Sequence, residues 1–314
     1  MRVIVIGGTG HIGTYLSPLL EEAGHEVISV SRGTRQPYHS HEAWSKIRCV
    51  TLDRSEEEAR GDFGHRIAEL DGDSVIDLTC YALESVQQLV NALRGSVGHF
   101  LHRGTIWVHG HSVHVPTKED APRHPISEYG IRKLAIEQYL LEQAGSGFPA
   151  TVLHPGHLVG PRWMPPNPAA NFNPEVFSKL ASGGEVLLPN LGMETLHHVH
   201  AADVALAFAC ALARRSVAIG ESFHVVSPAT LTLRGFAEQM AAWFGQAPNI
   251  SGFCPGRSGR RSTPKRTRAS RGTTLRARRT VASRRHGGCW GMNRATNHWR
   301  RYRSPSHGWY GGFP

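Results

Sequence analysis

The two side chains best spaced to do chemistry together are Tyr129 and Lys133, in the run Tyr129-Gly130-Ile131-Arg132-Lys133. Four residues apart on a helix, they would share one face. A nearby ammonium favours phenolate over phenol and so lowers a tyrosine pKa. Tyr129 is therefore a candidate acid/base near neutral pH, with Lys133 as its tuner. Lys133 also has the reach to hold a ribose hydroxyl. Tyr-x-x-x-Lys is common by chance, so its weight depends on where it falls. A second set opens the chain: Gly7, Gly10 and Gly13, spaced by three, with Thr9, His11 and Ile12 between them. Glycines let a chain turn tightly and let its backbone approach a pyrophosphate. A helix starting there offers unpaired N–H groups to the phosphates. A plain strand–turn–helix would use the same glycines, but the short β-branched run Arg2–Ile6 before them and the helical stretch after them favour a dinucleotide loop.

The second strand ends at Val30-Ser31-Arg32. A site for NAD usually carries Asp or Glu there, on the ribose hydroxyls. Ser31 and Arg32 replace it, and a guanidinium pairs with a 2′-phosphate, so NADP is favoured over NAD within an NAD(P) site. The competing reading of Arg32 is an ordinary exposed loop arginine. Two histidine clusters, His109/His111/His114 and His197/His198/His200, suggest metal, but neither has the i, i+4 spacing of a zinc helix. They read as loop or pocket-lining residues, and no metal site is assigned. Trp163 and Met164, among prolines, fit a substrate pocket or a packed surface loop equally well.

These residues need a scaffold, and the apolar pattern supplies one. Strands are expected at 2–6, 26–31, 47–52, 74–78 and 150–154, and a fifth-strand region at 99–101 continuing through 105–108. Helices are expected from the glycine loop to Ala23, and over 84–93, 129–144, 176–181, 203–212 and 233–244. Alternating strands and helices argue an α/β fold: a Rossmann-type doubly wound parallel sheet. Residues 1–160 form the dinucleotide-binding domain. Residues 161–253 form a smaller C-terminal substrate lobe with interleaved Rossmann elements, and 254–314 an Arg-rich tail.

Three segments, GGTGHIG, YGIRK and LHPGHLVGP, together resemble the extended short-chain dehydrogenase/reductase (NAD-dependent epimerase/dehydratase) family over residues 1–250 or so. The resemblance implies an NAD(P)-dependent epimerase, dehydratase or reductase. It would act on a hydroxyl or carbonyl carbon, commonly of a nucleotide sugar, with Tyr129 moving the hydroxyl proton. It implies that Asp53 and Arg54 flank the adenine and that Leu78 and Thr79 cover the adenine-ribose side. Pro155 and His157 would contact the nicotinamide, and the segment His200–Ala205 would begin a helix. Homodimers through the helix bearing Tyr129 are also expected. One departure stands out. Aligned on the family's Ser-Ala-Ser-Val-Tyr-Gly stretch, Arg103 falls where a catalytic Ser or Thr is usual. An arginine accepts neither proton nor hydrogen bond, which leaves Thr105 as the candidate replacement. Two rivals follow: a dinucleotide-binding protein without catalysis, and an RNA-binding member of the atypical branch.

The net charge of +10 is unevenly spread. Residues 254–314 hold 16 of the 35 Lys+Arg and no Asp or Glu, leaving 19 basic beside all 25 acidic residues in 1–253. The body reads as a mildly acidic enzyme and the tail, by composition, as disordered. A basic arm for nucleic acid is one reading of the tail; nucleic acid is not the expected partner of the body, which calls for a small-molecule substrate. A shifted reading frame near residue 253 explains more. Translated one base out of step, Cys289–Thr296 becomes compatible with Leu-Leu-Gly-Tyr-Glu-Pro-Arg-Tyr, which resembles the family's closing segment. Resequencing that returned an unbroken frame, with the same basic tail in related genes, would remove this hypothesis. No apolar run approaches the ~20 residues of a membrane span. Five scattered cysteines lack metal or disulfide spacing, and a reducing cytoplasm is expected.

Overall fold

A computed structural model describes residues 1–253. The tail, with its expected disorder and shifted frame, lies outside the described residues. Strand β1 (Arg2–Ile6) runs through a seven-stranded sheet whose paired neighbours are all parallel. To one side lie β2 (Glu26–Ser31) and β3 (Arg48–Thr51). To the other lie β4 (Ser74–Asp77), β5 (His99–Arg103), β6 (Ala150–Pro155) and a last strand, Ser222–Val225. That is the expected Rossmann order, with the order of strand addition reversing between β1 and β4, which run parallel.

Side chains alternate across a strand, and β1 shows what this does in a sheet covered on both faces. Val3 and Val5 enter the cluster with α1 (Gly13–Glu22) and α7 (Ala201–Ala213), joined by Leu16, Leu20, Val204 and Phe208. Ile4 and Ile6 enter the opposite cluster, with α3 (Phe63–Ala68), α4 (Leu83–Leu93) and α5 (Glu128–Gly145). Such strands must be apolar along their length. On α5, Ile136 and Leu140 are fully buried in the second cluster beside Phe100 and Val152. Each such side chain contributes about 1.5–3 kcal/mol, enough to fix the rotation of α5 and hence the direction of Tyr129 and Lys133.

Helix ends follow local chemistry. Asp53 caps α2 (Arg54–Arg60) by accepting from the Ser55 and Glu56 N–H groups. The Ser127 hydroxyl oxygen accepts from Gly130 N at the start of α5, 3.1 Å away. Gly24, in the left-handed region at φ 83°, follows the end of α1. The smaller lobe packs α6 (Glu175–Ala181) against the helix Leu233–Trp243 through Val176, Leu180, Ala237 and Ala241. Its strand Val186–Pro189 pairs with Ile250–Phe253.

The fifth strand corrects the expectation. It ends at Arg103, and Ile106–His109 is a 3-10 turn, not strand. The cause is local: the Thr105 hydroxyl oxygen accepts from Trp107 N, which closes a turn in place of a ladder. The strand Ser222–Val225 had no expected counterpart. Among the described residues, no helix is long and apolar enough to cross a membrane.

Candidate functional site

A cleft of about 470 Å³ opens where the strand order reverses, which is where open α/β sheets bind their ligands. Its floor is the loop from Ile6 to Ile12, with Gly7, Thr9, Gly10 and His11 all lining it. Gly7 sits at φ 86°, and a Cβ there would lie 2.5 Å from the Thr79 methyl. Gly13 does not line the cleft but makes it: a Cβ there would lie 2.4 Å from the carbonyl oxygens of Gly7 and Gly8. Only hydrogen at this position lets α1 start hard against the loop. No side chain caps that helix; its Thr14 and Tyr15 N–H groups donate to the Gly10 and Ile12 carbonyls, so a phosphate here would be met by the amides of the loop just ahead of them. The pair of main-chain constraints and the uncapped helix end fit a dinucleotide's pyrophosphate.

The other expected cofactor residues fall mostly on the cleft wall. Ser31, Arg32, Asp53, Arg54, Leu78 and Thr79 line it. Arg32 is exposed at the rim. Ser31 belongs to the turn itself, its hydroxyl accepting from Gly33 N at 3.3 Å. Arg54 is no free anion reader. Its guanidinium donates to both oxygens of buried Asp77 at 2.9 Å and to Glu58 at 2.6 Å, and lies over the Phe63 ring. It ties the end of β3 to the end of β4. Burial disfavours its charge, but Asp77 and Glu58 outweigh this and raise its pKa above the ordinary arginine value. Sequence reasoning missed Arg35, which lines the same wall and donates to the Tyr38 hydroxyl.

Across the cleft mouth, the His11 ring stacks on Trp163 with centroids 4.6 Å apart and planes 14° from parallel. Tyr38 packs against both rings. This settles Trp163 as cleft wall. Neither nitrogen of His11 has a hydrogen-bond partner, and the residue is buried. Burial, with the neighbouring His200 adding to it, pushes the imidazole down to about 4.

Tyr129 stands at the start of α5, 39 % exposed, its ring 6.3 Å from that of Tyr81. Lys133, one turn on, is buried. Its Nζ donates to the carbonyl oxygens of Cys80 at 2.6 Å and Arg103 at 2.8 Å and lies over the Tyr81 ring. Burial first, and then the Arg103 cation, hold its pKa well below that of an ordinary lysine. The ammonium thus clamps the segment after β4 to the end of β5. Arg103 reaches into the cleft, with its Nη2 donating to the Tyr81 hydroxyl at 2.8 Å. Burial opposes its charge, but the Tyr81 and Tyr129 phenols and Asp77 prevail, so its pKa is raised.

Thr105, 4 % exposed, is the cap already described, and its own N–H donates to His154 Nδ1 at 2.9 Å. His154 Nε2 faces Glu137 at 3.1 Å, and Arg123 donates to the same carboxylate oxygen at 2.8 Å. Burial would raise the Glu137 pKa, but His154 and Arg123 hold it well below the usual carboxylate range. This buried chain fixes the turn beneath Tyr129. Pro155 ends β6, buried, and His157 lies edge-on to Trp107 at 5.6 Å. Neither lines the cleft wall. Of the clustered histidines, His109 meets His224, which belongs to neither cluster, through their Nε2 atoms at 2.7 Å, and His200 caps α7. Among the described residues, no three His, Cys, Asp or Glu side chains group as a metal site.

Fold, glycine loop and helix-borne Tyr129 and Lys133 define a dinucleotide-binding α/β protein, and comparison with known proteins narrows the class. The model of the NAD dependent epimerase/dehydratase family matches residues 3–225, so the chain belongs to that family. Among characterised relatives, a 2′-dehydrokanamycin reductase of Streptomyces kanamyceticus is 33 % identical over 138 residues, 44 % of this chain and 37 % of that protein. A chloroplast stem-loop binding protein of 41 kDa from Arabidopsis thaliana is 26 % identical, over 76 % of this chain and 62 % of that one. The chain thus spans less than two thirds of the length of both. A UDP-glucose 4-epimerase of Mycolicibacterium smegmatis is 28 % identical over 86 % of this chain and 91 % of the relative. Among solved structures, the UDP-glucose 4-epimerase of Thermotoga maritima superposes with a TM-score of 0.67 at 22 % identity, covering 91 % of each chain. At that identity it supports the fold alone.

Proposed function

We propose that the protein is an NADP-preferring epimerase, dehydratase or reductase acting at a hydroxyl-bearing or carbonyl carbon of a small molecule, with a nucleotide sugar as the leading substrate class. The observation that carries the reading is the steric one at the glycine loop. Gly7 and Gly13 have no room for a side chain, and the uncapped α1 terminus behind them faces a cleft with free space. The curated relatives, a reductase and an epimerase by name, support the reaction class.

When bound, the nicotinamide would accept or supply the hydride. The chain's residues divide the remaining work. The loop amides would hold the pyrophosphate. Arg32 at the rim, with Arg35 behind it, would hold the 2′-phosphate. Tyr129 Oη would take the proton from a substrate hydroxyl, or return it to a carbonyl oxygen, beside Tyr81. Lys133, through its two carbonyl partners, would keep the ends of β4 and β5 in register beneath it. Thr105 is assigned to shaping the turn.

Titrating NADPH and NADH into the full-length protein, followed by nicotinamide fluorescence, tests the cofactor. NADPH should bind at least tenfold tighter than NADH. Arg32→Ala should remove most of that difference, since a charge-assisted hydrogen bond contributes about 1.5–3 kcal/mol. Equal affinities for both nucleotides would end the NADP assignment, and no binding of either would end the whole reading. The name of the Arabidopsis relative supports a second reading, nucleic-acid binding. RNA affinity that falls steeply with salt and is untouched by saturating NADPH would favour it.

A further inference from the structure

Arg103 is a cation with no carboxylate in direct contact. It closes β5, and its guanidinium lines the cleft. Its Nη2 donates to the Tyr81 hydroxyl, and the Tyr81 ring also lies beneath the guanidinium at 5.3 Å. Its Nε is buried with no hydrogen-bond partner. Among the described residues, no carboxylate lies within ion-pair distance of it, whereas the other half-buried cleft arginine, Arg54, is ion-paired with Asp77 and Glu58, although its Nη2 also has no hydrogen-bond partner. A half-buried guanidinium with one N–H buried and unpaired is costly, and the cleft it lines gives an anion a way in.

The position on the sheet says which anion. In the order β5–β4–β1–β2, Arg103 ends the first strand while Arg32 follows the last. The glycine loop follows β1, between them. Arg32, Arg35 and the loop amides serve the phosphates, so Arg103 is at the far end of the cleft from the phosphate-binding groups. It is there beside the two tyrosines, Tyr81 and Tyr129, whose rings are 6.3 Å apart.

We propose that Arg103 binds an anionic oxygen of the substrate, a carboxylate close to the reacting carbon, and that the enzyme therefore acts on a hydroxy or oxo acid such as a uronate-type sugar or a smaller 2- or 3-hydroxy acid. The planar guanidinium offers a carboxylate two parallel N–H donors. Nε has no partner within the protein, and the Tyr81 hydroxyl takes only one Nη2 hydrogen. A carboxylate so held would lie beside Tyr81, whose ring is 6.3 Å from that of Tyr129. The residue that cannot stand in for a serine in proton transfer would serve instead to read charge. This inference rests on the dinucleotide reading above and adds the substrate's chemical class.

The test uses the full-length protein loaded with NADPH, so that the phosphate-binding residues are covered, with malonate as the carboxylate probe and malonamide as its neutral counterpart at constant ionic strength. Malonate should perturb bound-nicotinamide fluorescence saturably, and malonamide should not. Arg103→Met should weaken malonate at least tenfold while NADPH affinity stays within about threefold, and Arg103→Lys, which keeps the charge but loses the fork, should fall between. Arg103→Gln serves in place of the methionine variant if the latter does not fold. Equal malonate binding by wild type and the uncharged variant, or none by an NADPH-binding wild type, overturns the proposal while leaving the cofactor reading intact. Failure of NADPH itself to bind overturns the dinucleotide reading and this inference with it.

Discussion

An acid/base phenol has to be both reachable and oriented, and Tyr129, which does not itself line the cleft but stands beside Tyr81 on its wall, meets the two demands through different neighbours. Its own exposure gives access, while the burial of Ile136 and Leu140 on the same helix sets its direction. Removing only the hydroxyl oxygen isolates the chemistry from the positioning. Tyr129→Phe should lower kcat by ~10²–10⁴, the usual contribution of a positioned acid/base, with NADPH affinity unchanged within about twofold. A steady-state assay beside a binding titration reads both, and an unchanged kcat would remove Tyr129 from the mechanism. Lys133 shows how spacing can be right about placement and incomplete about role. The i, i+4 relation did bring it one turn below Tyr129, but its donors go to Cys80 and Arg103 carbonyls, which no spacing argument could name.

At the scale of elements, the joint between β1 and α1 is the most constrained part of the chain. Gly13 packs its Cα against two main-chain carbonyls, which cannot rotate away as a side chain would. Gly13→Ala should therefore cost about 1–3 kcal/mol through overpacking, read as a lower urea midpoint, and should weaken NADPH binding because α1 must back away from the loop. Gly24 is the contrast: its φ of 83° is strained for alanine, but nothing lies within 4 Å of the added carbon. Gly24→Ala should leave NADPH binding untouched. If both variants bind NADPH as wild type does, the close approach at Gly13 has no bearing on the cofactor. The 3-10 turn after β5 belongs to this scale too. A run of β-branched and aromatic residues there looks like strand, yet the Thr105 cap and the contact of its N–H with His154 divert the backbone.

At the scale of the whole molecule, the interior holds more imidazole than is usual. His11, His99 and His109 are each pushed by burial to about 4. The unfolded chain, with ordinary histidine pKa values near 6.5, takes up these protons first as the pH falls. Their burial therefore leaves stability undiminished above about pH 6.5 and erodes it progressively down to about pH 4. Within that window each histidine contributes a slope of about 1.4 kcal/mol per pH unit. Glu137, with its pKa depressed, adds a loss of the same sign at lower pH. Urea midpoints measured at pH 7, 6 and 5 should fall stepwise, and His99→Gln should flatten the trend. A midpoint that stays level across this range would mean that these imidazoles are not neutral and buried in solution.

What the sequence determined by itself is what depends on neighbours along the chain. The sheet strands up to β6, apart from the end of β5, were legible from apolar runs, the longer helices from their period, and the dinucleotide loop from glycine spacing, because periodicity and turn stereochemistry act over a few residues; the short helices α2 and α3 had no expected counterpart. Tertiary structure decided the rest. The strand Ser222–Val225, in the run Ser-Phe-His-Val, has no strong pattern and exists because β6 offers it an edge. Trp163 belongs to the cleft because His11, far away in the chain, lies beneath it. Arg103 faces Tyr81 instead of solvent because β4 and β5 end side by side. Each of these pairs residues that are remote in sequence, and a contact of that kind forms only once the sheet has brought the strand ends together.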